Sequence, residues 1–179
     1  GCYVKDIGVV RTGVLYFATY YLDTQTGVVV TGSHNPPDYN GLKIVIDGET
    51  LSGPSIQSLH ERIKDQNFIS GEGGVETINI VPDYIERIRG DVTVSRPLKV
   101  VIDCGNGVAG AVAPQLFKGL GCEVIELFCE VDGNFPNHHP DPSKEENLED
   151  LIAAVAANQA DVGLAFDGDG DRLGVVNAA

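Results

Sequence analysis

The 179-residue sequence has no methionine and no tryptophan, and aromatic residues make up only 7% of it. A natural start site supplies a methionine, so its absence implies that residue 1 is not where the gene product begins. Basic residues are scarce as well: 12 Lys and Arg face 26 Asp and Glu, for a net charge of −14. A polyanion would meet a repulsive field, which argues against a nucleic-acid partner. No apolar run approaches the roughly 20 residues that span a bilayer, so no membrane partner is expected. The opening GCYVKDIGVVRTG lacks the basic start, long apolar stretch and small-residue cleavage site of a signal peptide. Cys2, Cys104, Cys122 and Cys129 show neither C-x-x-C spacing nor the density of a disulfide scaffold. Reduced thiols and a cytoplasmic protein are the expectation.

What is present is 42% hydrophobic residues, which can build a core and argue against disorder. The length suits one ordinary domain or two small ones. GVVVT (27–31) is β-branched and predicts a buried strand, and LKIVI (42–46) predicts a second. Ile56, Leu59 and Ile63 fall at helical spacing after a Ser-Gly-Pro start at 52–54, and GEGG at 71–74 reads as flexible punctuation. A fresh start follows. Tyr84, Ile85 and Ile88 mark a helix after Pro82. LKVVID (98–103) is a strand, and Val108, Val112, Leu116 and Leu120 stripe the helix after it. CEVIELF (122–128) is the next strand, Leu148, Leu151, Ile152 and Val155 begin another helix, and ADVGLAF (160–166) is again a strand.

Strand–helix–strand–helix–strand with short connections predicts parallel β-α-β units. The expected class is α/β, with mixed, mostly parallel sheets and flanking helices, in two domains meeting near residue 78. Charge divides unevenly there: residues 1–78 carry 5 basic and 9 acidic side chains, and residues 79–179 carry 7 and 17. Most of the second domain's acids between Glu123 and Asp150 read as a solvated face.

Three constellations could carry chemistry. DGDGDR, Asp167 to Arg172, directly follows the strand ADVGLAF. Three carboxylates at alternate positions, with glycines permitting tight convergence, would repel one another without a hard cation between them. An EF-hand begins similarly but needs Gly at its sixth position and Glu at its twelfth, where this chain has Arg172 and Ala178. Its preceding segment here is a strand, not a helix. Carboxylates at the end of a parallel strand, with one oxygen from elsewhere, suit Mg²⁺ in a phosphoryl-transfer site.

The second is TGSHNPPDYNG, Thr31 to Gly41, where Ser33 follows a strand in a loop stiffened by Pro36 and Pro37. A hydroxyl held this way can accept and pass on a phosphoryl group, with His34 or Lys43 managing its proton or balancing phosphate charge. Taken alone, an ordinary turn serine is the plainer reading. Pairing with DGDGD changes that, because a phosphoserine needs a cation and a Mg²⁺ site needs a phosphate.

The third is GNGVAG, where Gly105, Gly107 and Gly110 match a dinucleotide-binding fingerprint with Glu130 about 20 residues on. Asp103 sits where the pyrophosphate would lie, which opposes that alternative. His138 and His139, in GNFPNHHPDP, lack a third ligand and read as structural or interface residues.

With TGSHNPPDYNGLKIV and AFDGDGDRLGVV both in view, the chain resembles the α-D-phosphohexomutases, most closely the bacterial phosphomannomutase/phosphoglucomutase branch. The resemblance extends through VVIDCGNGVAG and EVDGNFPNHHPDP, covering essentially the whole chain. Phosphoglucosamine mutases, the nearest alternative, have a serine loop reading more like SASHNP; Thr31-Gly32 favours the hexose branch. The resemblance implies a four-domain enzyme, monomeric at full length, of which this chain carries the latter part of the first domain and nearly all of the second.

It further implies that Ser33 is the phosphoserine, that Asp167, Asp169 and Asp171 with a phosphoserine oxygen hold Mg²⁺, that Lys43 and Arg172 face phosphates, and that His34 flanks the serine. The implied reaction moves phosphate between positions 1 and 6 of mannose or glucose through a hexose 1,6-bisphosphate, which also acts as activator. Such a fragment is expected to be inactive alone. One departure stands out. The family's V-P-T-P reads Val10-Arg11-Thr12-Gly13 here, and two lost prolines imply a looser loop.

Overall fold

The computed structural model describes residues 1–36 and 38–177; Pro37, one of the two prolines expected to stiffen the serine loop, and Ala178 lie outside them. In the second half, LKVVID, CEVIELF and ADVGLAF form β6 (Lys99–Asp103), β7 (Glu123–Leu127) and β8 (Val162–Phe166). They pair in parallel in the order β7-β6-β8, and β9 (Leu173–Asn177) adds an antiparallel edge to β8. Val100, Ile102 and Leu164 face one helical layer, and Val101 and Ala165 face the other, as expected of a sheet covered on both sides.

The helix expected from Val108 to Leu120 is broken. A 3₁₀ turn covers Val108–Ala111, and α4 spans Ala113–Gly119. Pro114 causes the break: its ring would collide with the carbonyl of Gly110, and it has no N–H to donate there. The C-terminal stripe forms α5 (Glu149–Asn158), whose Leu151 and Val155 pack on the sheet.

The first half is built differently. β2 (Gly27–Thr31) and β3 (Gly41–Ile46) pair antiparallel, with a short β4 (Glu49–Thr50) beyond. The expected burial of β2 is not found: Val28 and Val30 are 53% and 65% exposed. β2 is an edge strand, and only its alternate residues face α1 (Thr12–Tyr21). A groove of about 810 Å³, lined among others by Val4, Leu15 and Val28, separates it from β1. β1 (Tyr3–Asp6) pairs in parallel with β5 (Gly74–Thr77), so the GEGG segment ends in a strand rather than a free linker. α2 (Pro54–Lys64) forms where its spacing predicts, and α3 (Val81–Asp91) carries Tyr84, which packs its ring edge-on to Phe17 of α1. The buried cluster of Val10, Val14, Ala18 and Ile80 joins α1 to the start of α3.

Candidate active site

The DGDGDR loop, called the metal loop for the role expected of it, begins where β8 ends, at the carboxyl edge of the parallel sheet. Gly170 turns it through φ 71°, and Gly170 N–H donates to Asp167 O. Asp167, Asp169 and Asp171 each present a ligand oxygen, all within 4.8 Å of one another. The backbone N–H groups of Asp171 and Arg172 both donate to Asp167 Oδ1 at 3.0 Å, which orients that carboxylate. Asp167 and Asp169 are buried, whereas Asp171 faces the open side.

The serine loop comes directly onto this cluster. Ser33 Oγ donates to Asp167 Oδ2 at 2.9 Å and lies 3.2 Å from Asp169 Oδ1. Ser33 itself sits at φ 54°, a left-handed conformation costly for a residue with a Cβ. Its N–H is held by Thr31 Oγ1 at 2.8 Å. The approach is tight: a Cβ on Gly168 would stand 2.1 Å from Ser33 O. Only glycine permits the two loops to meet this closely. His34 Nδ1 lies 3.3 Å from Ser33 Oγ, within reach of its proton.

Lys43 reaches in from β3. Its Nζ donates to Asp169 Oδ2 at 2.6 Å and Asp171 Oδ2 at 2.5 Å. Burial opposes its charge, but these two carboxylates hold the ammonium above its ordinary range. Burial likewise works against ionisation of Asp169, and Lys43 with the Thr12 and Thr31 hydroxyls overrides it, keeping the carboxyl low. Asp167 has no such cation, so burial and the neighbouring carboxylates raise it. Arg172 joins the site through its backbone; its side chain is exposed at the rim.

The donor set fits a hard divalent cation. The candidate ligand atoms are carboxylate oxygens with the Ser33 hydroxyl beside them, and three carboxylates outnumber the one ammonium paired with them. Lys43 already shows that the cluster draws positive charge.

Two contributors were not singled out in the sequence. Thr12 Oγ1 donates to Asp169 Oδ2 at 2.8 Å, and Thr12 N–H donates to Asp169 O at 3.0 Å. No local pattern announces this, because the partner lies 157 residues away. Thr31 Oγ1 also bonds Asp169, at 3.2 Å; its spacing of two from Ser33 at the end of a strand was a usable signal. The Arg11 segment is not loose. Arg11 is at φ −66°, the angle a proline would impose, and its side chain runs beneath the metal loop over the Phe166 ring, 5.7 Å from its centroid.

GNGVAG serves the same assembly. Val108 N–H donates to Gly168 O at 3.1 Å, Gly107 N–H to Cys104 O at 2.7 Å and Gly105 N–H to Asp103 Oδ1 at 2.8 Å. With these donors engaged internally, the turn offers no cradle for a pyrophosphate. His138 Nε2 bonds the buried Asp103 carboxylate at 2.9 Å, a structural role and not a ligand set.

Comparison with known proteins gives consistent results. The family model described as phosphoglucomutase/phosphomannomutase, alpha/beta/alpha domain I matches residues 1–70, and the one for alpha/beta/alpha domain II matches residues 82–179. A phosphomannomutase/phosphoglucomutase from Pseudomonas aeruginosa is 62% identical over 98% of this chain, which covers 38% of that protein. A phosphoglucomutase from Neisseria gonorrhoeae is 54% identical over 98% of the chain and 39% of its own length. The crystal structure of a phosphoglucomutase/phosphomannomutase family protein from Burkholderia thailandensis superposes with a TM-score of 0.91 at 51% identity, across 98% of this chain and 40% of that one.

Proposed function

The chain belongs to the phosphoglucomutase/phosphomannomutase family, and we propose that it carries the phosphoserine and metal loops of an enzyme interconverting hexose 1-phosphate and hexose 6-phosphate. The observation that carries this is the contact of Ser33 Oγ with Asp167 Oδ2 at 2.9 Å, made across 134 residues of sequence. The names of the relatives support mannose and glucose phosphates as substrates. We place the junction of two domains near residue 78, between β5 and α3, in the interval the two family models leave unmatched.

Ser33 acts as phosphoryl carrier. As a phosphoserine it gives its phosphoryl group to the sugar monophosphate, making a 1,6-bisphosphate, and recovers the other phosphate after that intermediate reorients. His34 exchanges the proton of the Ser33 hydroxyl when it leaves and when it attacks, from a distance of 3.3 Å. Asp167, Asp169 and Asp171 hold Mg²⁺, which when bound offsets charge on the transferring phosphoryl group. Lys43 and Arg172 place positive charge at the mouth of an otherwise acidic protein, where an anionic sugar phosphate must enter. The full-length enzyme is a cytoplasmic monomer in this reading.

The chain spans about two fifths of the length of its relatives, so most of the substrate cleft lies in segments outside it. The 179-residue chain alone therefore has negligible turnover. The test is Ser33→Ala in the full-length enzyme. Turnover of glucose 1-phosphate should be almost abolished and the phosphorylated peptide containing residue 33 should vanish; unchanged activity sinks the assignment.

A further inference from the structure

Cys104 and Cys129 lie outside the phosphoryl-transfer site, and their Sγ atoms are 3.4 Å apart. Cys104 is fully buried at the end of β6, whereas Cys129 is partly open to solvent just beyond β7. The parallel register brings them together: Asp103 pairs with Leu127, so Cys104 stands level with Phe128, one residue from Cys129. Phe128 then turns the chain through φ 49°, and the backbone of Cys129 is pressed against Gly110, where a Cβ would meet Cys129 O at 2.0 Å. Strands about 4.8 Å apart with a rise of about 3.3 Å put such diagonal Cα atoms roughly 6 Å apart. That lies inside the range of about 4.4–6.8 Å that a disulfide spans.

We propose that Cys104 and Cys129 form an oxidisable dithiol that a hydroperoxide converts into an intramolecular disulfide. Cys129, the less buried of the two, attacks first as thiolate. The peroxide O–O bond breaks, the alkoxide leaves and is protonated to an alcohol, and Cys129 becomes a sulfenic acid. The Cys104 sulfur then attacks the Cys129 sulfur; the S–O bond breaks, and hydroxide departs with the Cys104 proton as water. Two electrons pass from the sulfurs to the peroxide, leaving a disulfide, an alcohol and water.

The surroundings favour this order. The hydrogen bond between the two sulfurs holds Cys129 below the ordinary thiol range against the effect of burial. The same bond, reinforced by burial, pushes Cys104 up. The carbonyls of Ile102 and Leu127, 3.6 and 3.4 Å from Cys129 Sγ, accept its proton when it is present. The turn that starts at Cys104 carries Val108, which bonds the metal loop at Gly168, so the dithiol sits one turn from the metal loop.

The experiment treats the full-length protein carrying this chain, with Cys2→Ser to remove the exposed thiol, with tert-butyl hydroperoxide and maps peptides without reduction. The expected result is a cross-linked peptide joining Cys104 to Cys129, a mass loss of about 2 Da, and reversal by dithiothreitol. Cys129→Ser abolishes the cross-link, with circular dichroism verifying that this variant is folded. Peptide mapping of the unmodified protein gives the same answer independently of any variant. A disulfide that instead involves Cys122, irreversible oxidation of Cys129 with no cross-link, or no mass change at all overturns the proposal.

Discussion

Arg11 Nη2 donates to the carbonyl oxygen of Gly170 at 2.5 Å, so a residue from the start of the chain ends inside the metal loop, 159 positions away in sequence. Its positive charge is held against the backbone of the loop that carries the three aspartates, while its Nε is buried with no hydrogen-bond partner among the described residues. The guanidinium thus contributes most when the carboxylates are not otherwise neutralised. Arg11→Met should destabilise the metal-free chain by about 1.5–3 kcal/mol, the range for a hydrogen bond to a charged group. Saturating Mg²⁺ should shrink that loss. Urea midpoints with and without Mg²⁺ measure the difference; an equal loss in both conditions would refute a charge-balancing role.

A second expectation concerns the metal itself. A ligand that binds only the folded chain stabilises it by about 2.7 kcal/mol at a hundred times its dissociation constant. Mg²⁺ should therefore raise the urea midpoint, and EDTA should restore the original value. Asp169→Asn should remove most of this response, because Asp169 joins the cluster to Ser33, Lys43, Thr12 and Thr31 together. Calorimetry on the same variant gives the affinity directly.

The third follows from Asp103 and His138. Both ring nitrogens of His138 face acceptors, Nε2 the Asp103 carboxylate at 2.9 Å and Nδ1 the carbonyl of His139 at 3.0 Å, which favours the doubly protonated ring. The bond to Asp103 raises His138 above its ordinary 6.5, with burial opposing and the His139 carbonyl and Asp150 assisting. A raised folded pKa means the stabilisation is fully present below 6.5 and is lost as pH climbs through the folded value. The chain should therefore weaken as pH rises above 6.5, apart from any other titration. His138→Gln should flatten that slope and cost about 3–5 kcal/mol at low pH, because Asp103 is left buried without its partner. Urea unfolding from pH 6 to 9, a window of about three units around the histidine range, reads both effects.

These contacts also show where sequence patterns inform and where they stop. β6, β7 and β8 were legible because strands covered on both faces read as unbroken apolar runs. Ser33 and the three aspartates, which the structure brings together, stood out in the sequence because they sit in two dense local motifs, TGSHNPPDYNG and DGDGDR. α1 was not, since β-branched and aromatic residues give TGVLYFATYY little helical preference and only packing under Ile80 fixes it. β1 and β5 are four-residue edges exposed along nearly their whole length, so neither shows an alternating pattern, and β9 alternates in burial but turns Leu173 and Val175 to its exposed side. The role of Arg11 was invisible for another reason: the partner Gly170 lies 159 residues on, and no local spacing encodes it.

The last prediction tests whether the two halves are held together by contact at Gly168. A Cβ there would lie 2.1 Å from Ser33 O, and both sides of the clash are backbone, so no side-chain rotation relieves it. The Val108 N–H bond to Gly168 O fixes the loop from behind, at 3.1 Å. Gly168→Ala must therefore push the serine loop outward, and Ser33 Oγ loses its 2.9 Å contact with Asp167. The cost in stability should be about 1–3 kcal/mol, as for other overpacked sites. Function should suffer more than stability. Mg²⁺ affinity should fall only modestly, because the three aspartates remain in place on their own loop, whereas phosphorylation of Ser33 in the full-length enzyme should nearly cease. Titrating Mg²⁺ and quantifying the Ser33 phosphopeptide in the same variant separates these outcomes. Normal phosphorylation with an Ala at 168 would show that the close approach is not required.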